Sequence, residues 1–399
     1  MQGSIEKQGS IGIIWIDNPP VNAISHAVRQ GIVDAIEAAA ADDEIEALVL
    51  ACRGRTFLAG ADITEFDSPM QPPFLGDVIH TVAASEKIVV AALFGTAFGG
   101  GFEVALGCNY RISLRSGKVG LPEVKLGLLP GAQGTQRLPR VAGVNFALNT
   151  ILSGSPVSAD DALAAGAVDR VVDDNLVEEA VKYAKELVAD NAPLRKTHEM
   201  SIDADQYDAE YFADFRKSVA RKTRGMTAPE RIVRCVEAAV SLPFKEGIAF
   251  ERDMFMECRD DPQSTALQHV FFAEREAAKV PGLPKDAKLR DIKSVGMIGA
   301  GTMGGGISMN FANVGIPVTL LEMSQEALDK GLGIIRKNYE ATARKGRMTE
   351  EQVEERMALL SGTTNYDDLA DVDLVIEAVF ENMDVKKEVF STLNKTVRS

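Results

Sequence analysis

Two carboxylates, Glu103 and Glu123, lie among apolar residues and glycines rather than on a charged surface, in a stretch running from Gly95 to Leu138. Gly99, Gly100 and Gly101 precede the first acid, and Gly127, Gly131 and Gly134 follow the second. Isolated acids beside so many glycines suggest backbone that must approach something closely. Two carboxylates reaching one pocket from different elements can divide acid/base work. The one pushed toward its protonated form donates and the other abstracts. A helix beginning near Gly100 would aim free N–H groups and its dipole at a carbonyl oxygen lying off its N-terminus. The LAGAD loop, Leu58 to Asp62, follows a short strand and is the candidate for a second donor. Plainer readings stand beside these. Glu103 could simply complement a helix dipole, and Glu123, after Pro122, could be a surface turn residue. Asp62 and Glu65 read as structural or loop-capping. Arg137 and Arg140 could bind ligand phosphates, but salt bridges to the acid-rich surface are the favoured reading.

The elements that must position these groups alternate. Residues 11–17 (IGIIWID) read as a buried strand stopped by Pro19-Pro20. Residues 27–41 have helical spacing, with Val28, Ile32, Ala35, Ile36 and Ala39 on one side. The apolar runs 47–51 (ALVLA) and 88–93 (IVVAAL) read as buried parallel strands, with a helix-like segment around 78–87 between them. The second strand runs straight into the glycines. This alternation predicts stacked βαβ or ββα units with ligands at the strand ends. Residues 144–152, 158–166 and 175–189 look helical. The segment 191–290 is mostly helical and holds the densest aromatic clusters, read as helix-packing core. Val280-Pro281-Gly282-Leu283-Pro284 reads as a linker.

A different pattern starts at Lys293. A strand, SVGMIG, leads into Gly299-x-Gly301-x-x-Gly304, a helix follows over 305–314, and the next strand ends in Glu322. An acid about 20 residues beyond the glycines completes a dinucleotide-binding pattern. Gly299 permits a tight turn, Gly301 close approach to a pyrophosphate, and Gly304 close helix packing. The helix N-terminus favours phosphate charge. Glu322 would accept from ribose hydroxyls and disfavour a 2′-phosphate, so NAD is expected rather than NADP. Another strand (372–377) and an amphipathic helix (385–397) continue the unit.

At 399 residues, two or three domains are expected. A net charge of −15 argues against nucleic acid as a general partner. No apolar run reaches the roughly 20 residues that span a bilayer, and the N-terminus lacks signal-peptide and transit-peptide features. Cys52, Cys108, Cys235 and Cys258 have no paired spacing, and His26, His80, His198 and His269 are dispersed. Reduced thiols, no metal site and a cytoplasmic location are therefore expected, with a peroxisomal one left open.

FLAGADITEF, AFGGGFEVALGCNYRIS and GLPEVKLGLLPGAQGTQRL resemble the enoyl-CoA hydratase (crotonase) family in order and spacing. GAGTMGGGIS with VIEAVFENMDVKKEVF resembles the NAD domain of 3-hydroxyacyl-CoA dehydrogenases. Together with GIAFERDMFMECRDDPQSTALQHVFFAER, they are similar to the bifunctional enzymes of fatty-acid β-oxidation over essentially the whole chain. The resemblance implies an α/β protein in three parts: a crotonase-type ββα spiral over 1–190, a helical connecting region over 191–290, and a doubly wound Rossmann-type NAD-binding domain over 291–399. It implies that Ala61 and Gly100 donate backbone N–H groups to a thioester oxygen, with Ala59, Asp62 and Ile63 beside the substrate. Glu103 would activate water at Cβ of a 2-enoyl-CoA and Glu123 would deliver a proton to Cα. Isomerisation of 3-enoyl-CoA is an implied side activity. An isomerase or an acyl-CoA hydrolase on the same fold is the alternative, with a non-catalytic acyl-CoA and NAD sensor as a third reading. In the NAD site the resemblance adds Thr302, Met303, Ala378, Glu381 and Lys386. The family's catalytic histidine would fall beyond residue 399, and no histidine follows His269. An incomplete dehydrogenase that binds NAD without oxidising 3-hydroxyacyl-CoA is therefore expected here. Chain-length preference, a thiolase partner and self-association are left open.

Overall fold

The computed structural model describes residues 3–62, 65, 71–277, 279–284 and 286–398. The chain forms two compact units, Met1–Val280 and Pro281–Ser399. In the first, a six-stranded sheet has the order β1-β2-β3-β4-β6-β9. Its strands are β1 (Ser4–Gln8), β2 (Ile11–Ile16), β3 (Ala47–Cys52), β4 (Ile88–Leu93), β6 (Tyr110–Leu114) and β9 (Arg170–Val172). All neighbours are parallel except β1 and β2. A smaller sheet combines β5 (Thr96–Phe98), β7 (Lys118–Gly120) and β8 (Val157–Ser158) in that order.

Strands β3 and β4 are buried on both faces, as parallel strands covered on each side must be. Their alternate residues feed separate cores. Ile14, Leu48, Leu50, Val89 and Ala91 point to one face, where Ile32 of helix His26–Ala40, Ile79 of helix Leu75–Ala84 and Phe102 meet them. Ile13, Val49, Val90 and Ile112 point to the other, against Ala180 and Ala184 of helix Leu176–Ala189. Helix His26–Ala40 starts one residue before the expected boundary because the Ser25 side chain accepts from the Val28 N–H. Helices Ala209–Val219, Ala228–Ser241, Phe244–Arg259 and Pro262–Ala277 belong to the first unit rather than forming one of their own.

The second unit is a parallel four-stranded sheet of order β12-β11-β10-β13. Its strands are β10 (Val295–Ile298), β11 (Val318–Leu321), β12 (Leu360–Thr363) and β13 (Leu374–Glu377). The glycine turn lies between β10 and helix Thr302–Asn313, with Gly301 as the residue before the helix. That central position is the switch point where doubly wound sheets bind ligands.

Helix Gly100–Gly107 connects this framework to the acids. Its second residue lies against the backbone of the Leu58 loop: a Cβ on Gly101 would fall 1.9 Å from the Leu58 carbonyl oxygen. Replacing Gly101 with Ala should therefore lower unfolding stability by about 1–3 kcal/mol or more, read as a reduced denaturant midpoint.

Candidate active site and dinucleotide site

Glu103 stands in the first turn of helix Gly100–Gly107 and is 2% exposed. Its Oε1 accepts from the N–H groups of Ala132 (2.9 Å) and Gly134 (2.8 Å). Burial pushes this carboxyl up to about 7, while those two donors and the positive charge of Arg137 pull the other way. Glu123 opens a short 3-10 turn, Glu123–Leu126, rather than lying in an irregular loop. Pairing of Phe98 with Gly120 across β5 and β7, and a bond from Gly99 N–H to the Gly120 carbonyl, bring the start of that turn beside the helix that carries Glu103. Gly99 has φ +52, and a Cβ there would lie 2.9 Å from Glu123 Oε1, so the residue must be glycine on both counts. Oε2 of Glu123 is shut off from solvent and has no hydrogen-bond partner among the described residues. Burial, then the nearby Glu103 charge, hold Glu123 well above the usual carboxylate range.

The two candidate N–H donors converge. Ile24 bridges the LAGAD loop by donating to the Gly60 carbonyl and accepting from the Asp62 N–H. That pattern turns the Ala61 N–H to the opposite side of the strand. A Cβ on Gly100 would sit 3.5 Å from Ala61 N. Among the described residues no carbonyl accepts from either the Ala61 or the Gly100 N–H. Ala59 is half-buried in the same loop, as is Asp62. Ile63 lies outside the described residues. Glu65 is structural: it accepts from the His26 N–H and pairs with Arg29 at 2.8 Å.

Arg137 departs from expectation. It does not reach the acid-rich surface but is 1% exposed, donating to Gln133 Oε1 and to Thr197, and it lies over the ring of Phe244. Its neighbour Arg140 donates to the carbonyls of Gln136 and Ala239. Both side chains are held by backbone carbonyls, side-chain oxygens and an aromatic face, and among the described residues neither makes the surface salt bridge expected for it. A further buried acid has no counterpart among the residues that the motifs single out. Glu251, 1% exposed, accepts from the N–H groups of Gln133 (2.6 Å) and Thr135 (3.0 Å) and from the Thr135 hydroxyl. Burial and the Glu103 charge raise it to about 8. The sequence signal was its place on the buried stripe Gly247, Glu251, Met254 and Cys258 of an otherwise amphipathic helix.

In the second unit, Gly299 has φ +97, and a Cβ there would lie 2.8 Å from the Ala378 carbonyl oxygen; a Cβ on Gly304 would fall 1.8 Å from the Gly299 carbonyl. Around Gly301 a Cβ would meet nothing within 4 Å. Two of the glycines thus serve packing, and the third fronts open space at a helix N-terminus, which fits a pyrophosphate. Thr302 and Met303 are exposed on the first turn of that helix. Glu322 follows β11 and accepts from the Ala300 N–H at 2.7 Å. Lys386 pairs with Glu377 (2.8 Å) and Glu381 (3.1 Å), just beyond the end of β13 and Ala378.

Parallel ββα layering around a buried carboxylate pair, and a separate doubly wound unit with a dinucleotide turn, define an α/β protein of crotonase and Rossmann type. The chain belongs to the enoyl-CoA hydratase/isomerase family, whose model matches residues 6–228. Residues 294–399 match the NAD binding domain of 3-hydroxyacyl-CoA dehydrogenase. Among curated relatives, a peroxisomal bifunctional enzyme of Cavia porcellus is 41% identical over 96% of this chain and 54% of its own. The peroxisomal fatty acid beta-oxidation multifunctional protein MFP2 of Arabidopsis thaliana is 34% identical over 96% and 55%. The chain thus spans about half the length of the curated relatives it matches. Of solved structures, EchA1_1 of Mycobacterium paratuberculosis has TM-score 0.50 at 26% identity, covering 66% of this chain and 93% of that one. An enoyl-CoA hydratase/isomerase from Pseudoalteromonas atlantica has TM-score 0.51 at 22% identity, covering 71% and 100%, and shows the shared fold. Among the described residues no helix is long and apolar enough to cross a membrane.

Glu103 makes stability depend on pH. Its folded proton affinity, about 7, exceeds the ordinary value of 4.5, so the folded state binds more protons between those values and its stability falls as pH rises through that window. Glu103→Gln keeps an oxygen for Ala132 and Gly134 but cannot ionise. Relative to wild type, the variant should gain thermal stability steadily from pH 4.5 to 7 and hold a constant margin above it, as read by melting temperatures across that range.

Proposed function

We propose that the first unit hydrates 2-enoyl-CoA to 3-hydroxyacyl-CoA, and that the NAD-binding unit serves, in a longer protein, the oxidation of that product to 3-ketoacyl-CoA. The observation that carries this reading is the unequal setting of two buried carboxylates beside two backbone donors that no carbonyl of the described residues engages. Glu103 has two N–H donors on Oε1, which favour its anion. Glu123 has a solvent-shielded Oε2 with no partner among the described residues and the charge of Glu103 nearby, which favour its neutral form. Glu103 therefore takes a proton from the water whose oxygen bonds to Cβ, and Glu123 gives a proton to Cα. The N–H groups of Ala61 and Gly100 hold the thioester oxygen as it gains enolate charge, a kind of stabilisation worth about 2.7–4 kcal/mol per donor where it has been removed. The same pair can move a proton between Cα and a more distant carbon, which supports 3-enoyl-CoA isomerisation as a side activity.

NAD, when bound, supplies a hydride acceptor. In this chain Gly301 and the N-terminus of helix Thr302–Asn313 would hold its pyrophosphate, and Glu322 its ribose. Ala378, Glu381 and Lys386 would line the neighbouring strand end. Relatives named for the peroxisome support that compartment over the cytoplasm, and imaging of a tagged protein distinguishes them.

Glu103→Gln and Glu123→Gln should each lower hydration of crotonyl-CoA by roughly 10²–10⁴-fold while acyl-CoA binding persists. Normal turnover in either variant would sink the assignment. Loss of 3-enoyl-CoA isomerisation with hydration intact would favour the isomerase alternative. Gly301→Val should leave the melting temperature close to wild type yet weaken NADH binding by roughly tenfold, about 1.4 kcal/mol, in a fluorescence titration.

A further inference from the structure

Glu251 is a buried acid that the proposed chemistry does not use, and its contacts interlock with those of Glu103. Along the backbone from Ala132 to Thr135, successive N–H groups point alternately to the two carboxylates. Ala132 and Gly134 donate to Glu103, and Gln133 and Thr135 donate to Glu251. The alternation requires the turn at Gln133, whose φ of +80 is unusual for a residue with a side chain. These N–H groups belong to the loop and first turn of helix Gly134–Ala142, where no intrahelical acceptor exists.

Helix Phe244–Arg259 follows that loop with one residue per turn. A Cβ on Gly247 would lie 2.2 Å from Gln136 Oε1, Glu251 meets Gln133 and Thr135, and Phe255 packs so closely on Gly131 that a Cβ there would lie 2.4 Å from its Cδ2. Positions 247, 251 and 255 lie on one helical face. Every polar contact of Glu251 comes from a donor, and the Thr135 hydroxyl in turn accepts from Gln136 Nε2. These donors favour the anion, against the burial that raises this carboxyl to about 8. Meanwhile Glu103 spends only Oε1 on the loop, and no described residue bonds its Oε2.

We propose that Glu251 is a positioning residue for the acid/base chemistry: by taking the N–H groups of Gln133 and Thr135 it sets the turn that directs those of Ala132 and Gly134 onto one oxygen of Glu103, leaving the other for water. This rests on the hydratase reading above. It gives the helices after residue 190 a part in catalysis without contact to substrate. The ionisable groups facing Glu251 are Glu103, Glu123 from its 3-10 turn, Arg137 from helix Gly134–Ala142 and Cys235 from helix Ala228–Ser241. Loosening the Ala132 and Gly134 donors, which favour the Glu103 anion, raises the proton affinity of Glu103.

The test is steady-state hydration of crotonyl-CoA by the whole chain, across pH, for Glu251→Gln, Thr135→Val and Glu103→Gln. Glu251→Gln keeps shape but sets an NH2 group against one of the two loop N–H groups. Its kcat should fall roughly 10- to 100-fold with KM little changed, and the acidic limb of its pH profile should move to higher pH. Thr135→Val removes the hydroxyl that donates to Glu251 and accepts from Gln136 Nε2 but leaves the carboxylate, and should shift both quantities the same way by less, which keeps the test available if Glu251→Gln does not fold. Unchanged kcat and pH profile in a folded Glu251→Gln, or in Thr135→Val when the former is unfolded, would overturn the inference. A loss confined to KM or to melting temperature would do the same. Full activity in Glu103→Gln overturns the hydratase reading and the role of Glu251 within it. An inert Glu103→Gln beside an unaltered Glu251→Gln overturns the present inference alone.

Discussion

A carboxylate in an apolar interior loses its hydration, at a cost of several kcal/mol unless donors replace the water. Glu103 is in that position, and much of the first unit follows from how its donors are supplied. They come from backbone, at the start of helix Gly134–Ala142, where N–H groups and the helix dipole both favour an anion. Backbone can come this close only where side chains are missing. A Cβ on Gly134 would lie 2.7 Å from Glu103 Oε1, and one on Gly101 would strike the Leu58 carbonyl. The glycines around the acids are thus a consequence of burying them. The balance is partial: two N–H groups leave the carboxyl near 7 rather than restoring an ordinary value. A group poised there can both hold and release a proton under neutral conditions.

Much of this could be read from the residues. Apolar runs without alternation marked β3 and β4, because strands covered on both faces carry no polar side. The glycine-x-glycine pattern with Glu322 marked the dinucleotide turn, because its spacing is dictated by pyrophosphate geometry. The short strands β5, β7 and β8 carried no such mark. Each has two or three residues, too few for periodicity to register, and they exist because the first sheet leaves their partners adjacent. Yet they set Gly99 beside Glu123. The buried place of Arg137 carries no mark for a related reason. A guanidinium in an acid-rich chain suggests surface pairing, and only the packing of Phe244 and Thr197 around it creates a buried seat. Glu251 was hidden by distance, since the N–H groups it serves lie more than a hundred residues away in sequence.

The dinucleotide turn shows a different use of an acid. Glu322 accepts from the Ala300 N–H, between Gly299 and Gly301. The carboxylate that would select a ribose therefore also fixes the turn that would receive the pyrophosphate. Gly299 is held from the same side by its own N–H donating to the Leu321 carbonyl, and from the other side by close contact with Ala378. A loop tied at both ends in this way spends little ordering entropy on a ligand.

The helices after residue 190 look by composition like a spacer, and their packing says otherwise. Ser264 Oγ donates to the Leu126 carbonyl at the end of the Glu123 turn, and its backbone abuts Gly127, where a Cβ would lie 2.8 Å from Ser264 Cα. Glu251 and Phe255 grip the segment that serves Glu103. Each candidate catalytic acid is thus backed by a different helix of the same region. A single 3-10 turn and a loop bent at a left-handed glutamine are weak structures alone, because each leaves backbone groups that it cannot pair by itself. Rigid helices supply the missing acceptors and donors from behind. Among the described residues this leaves Oε2 of each acid without a hydrogen-bond partner, as the proposed proton transfers require.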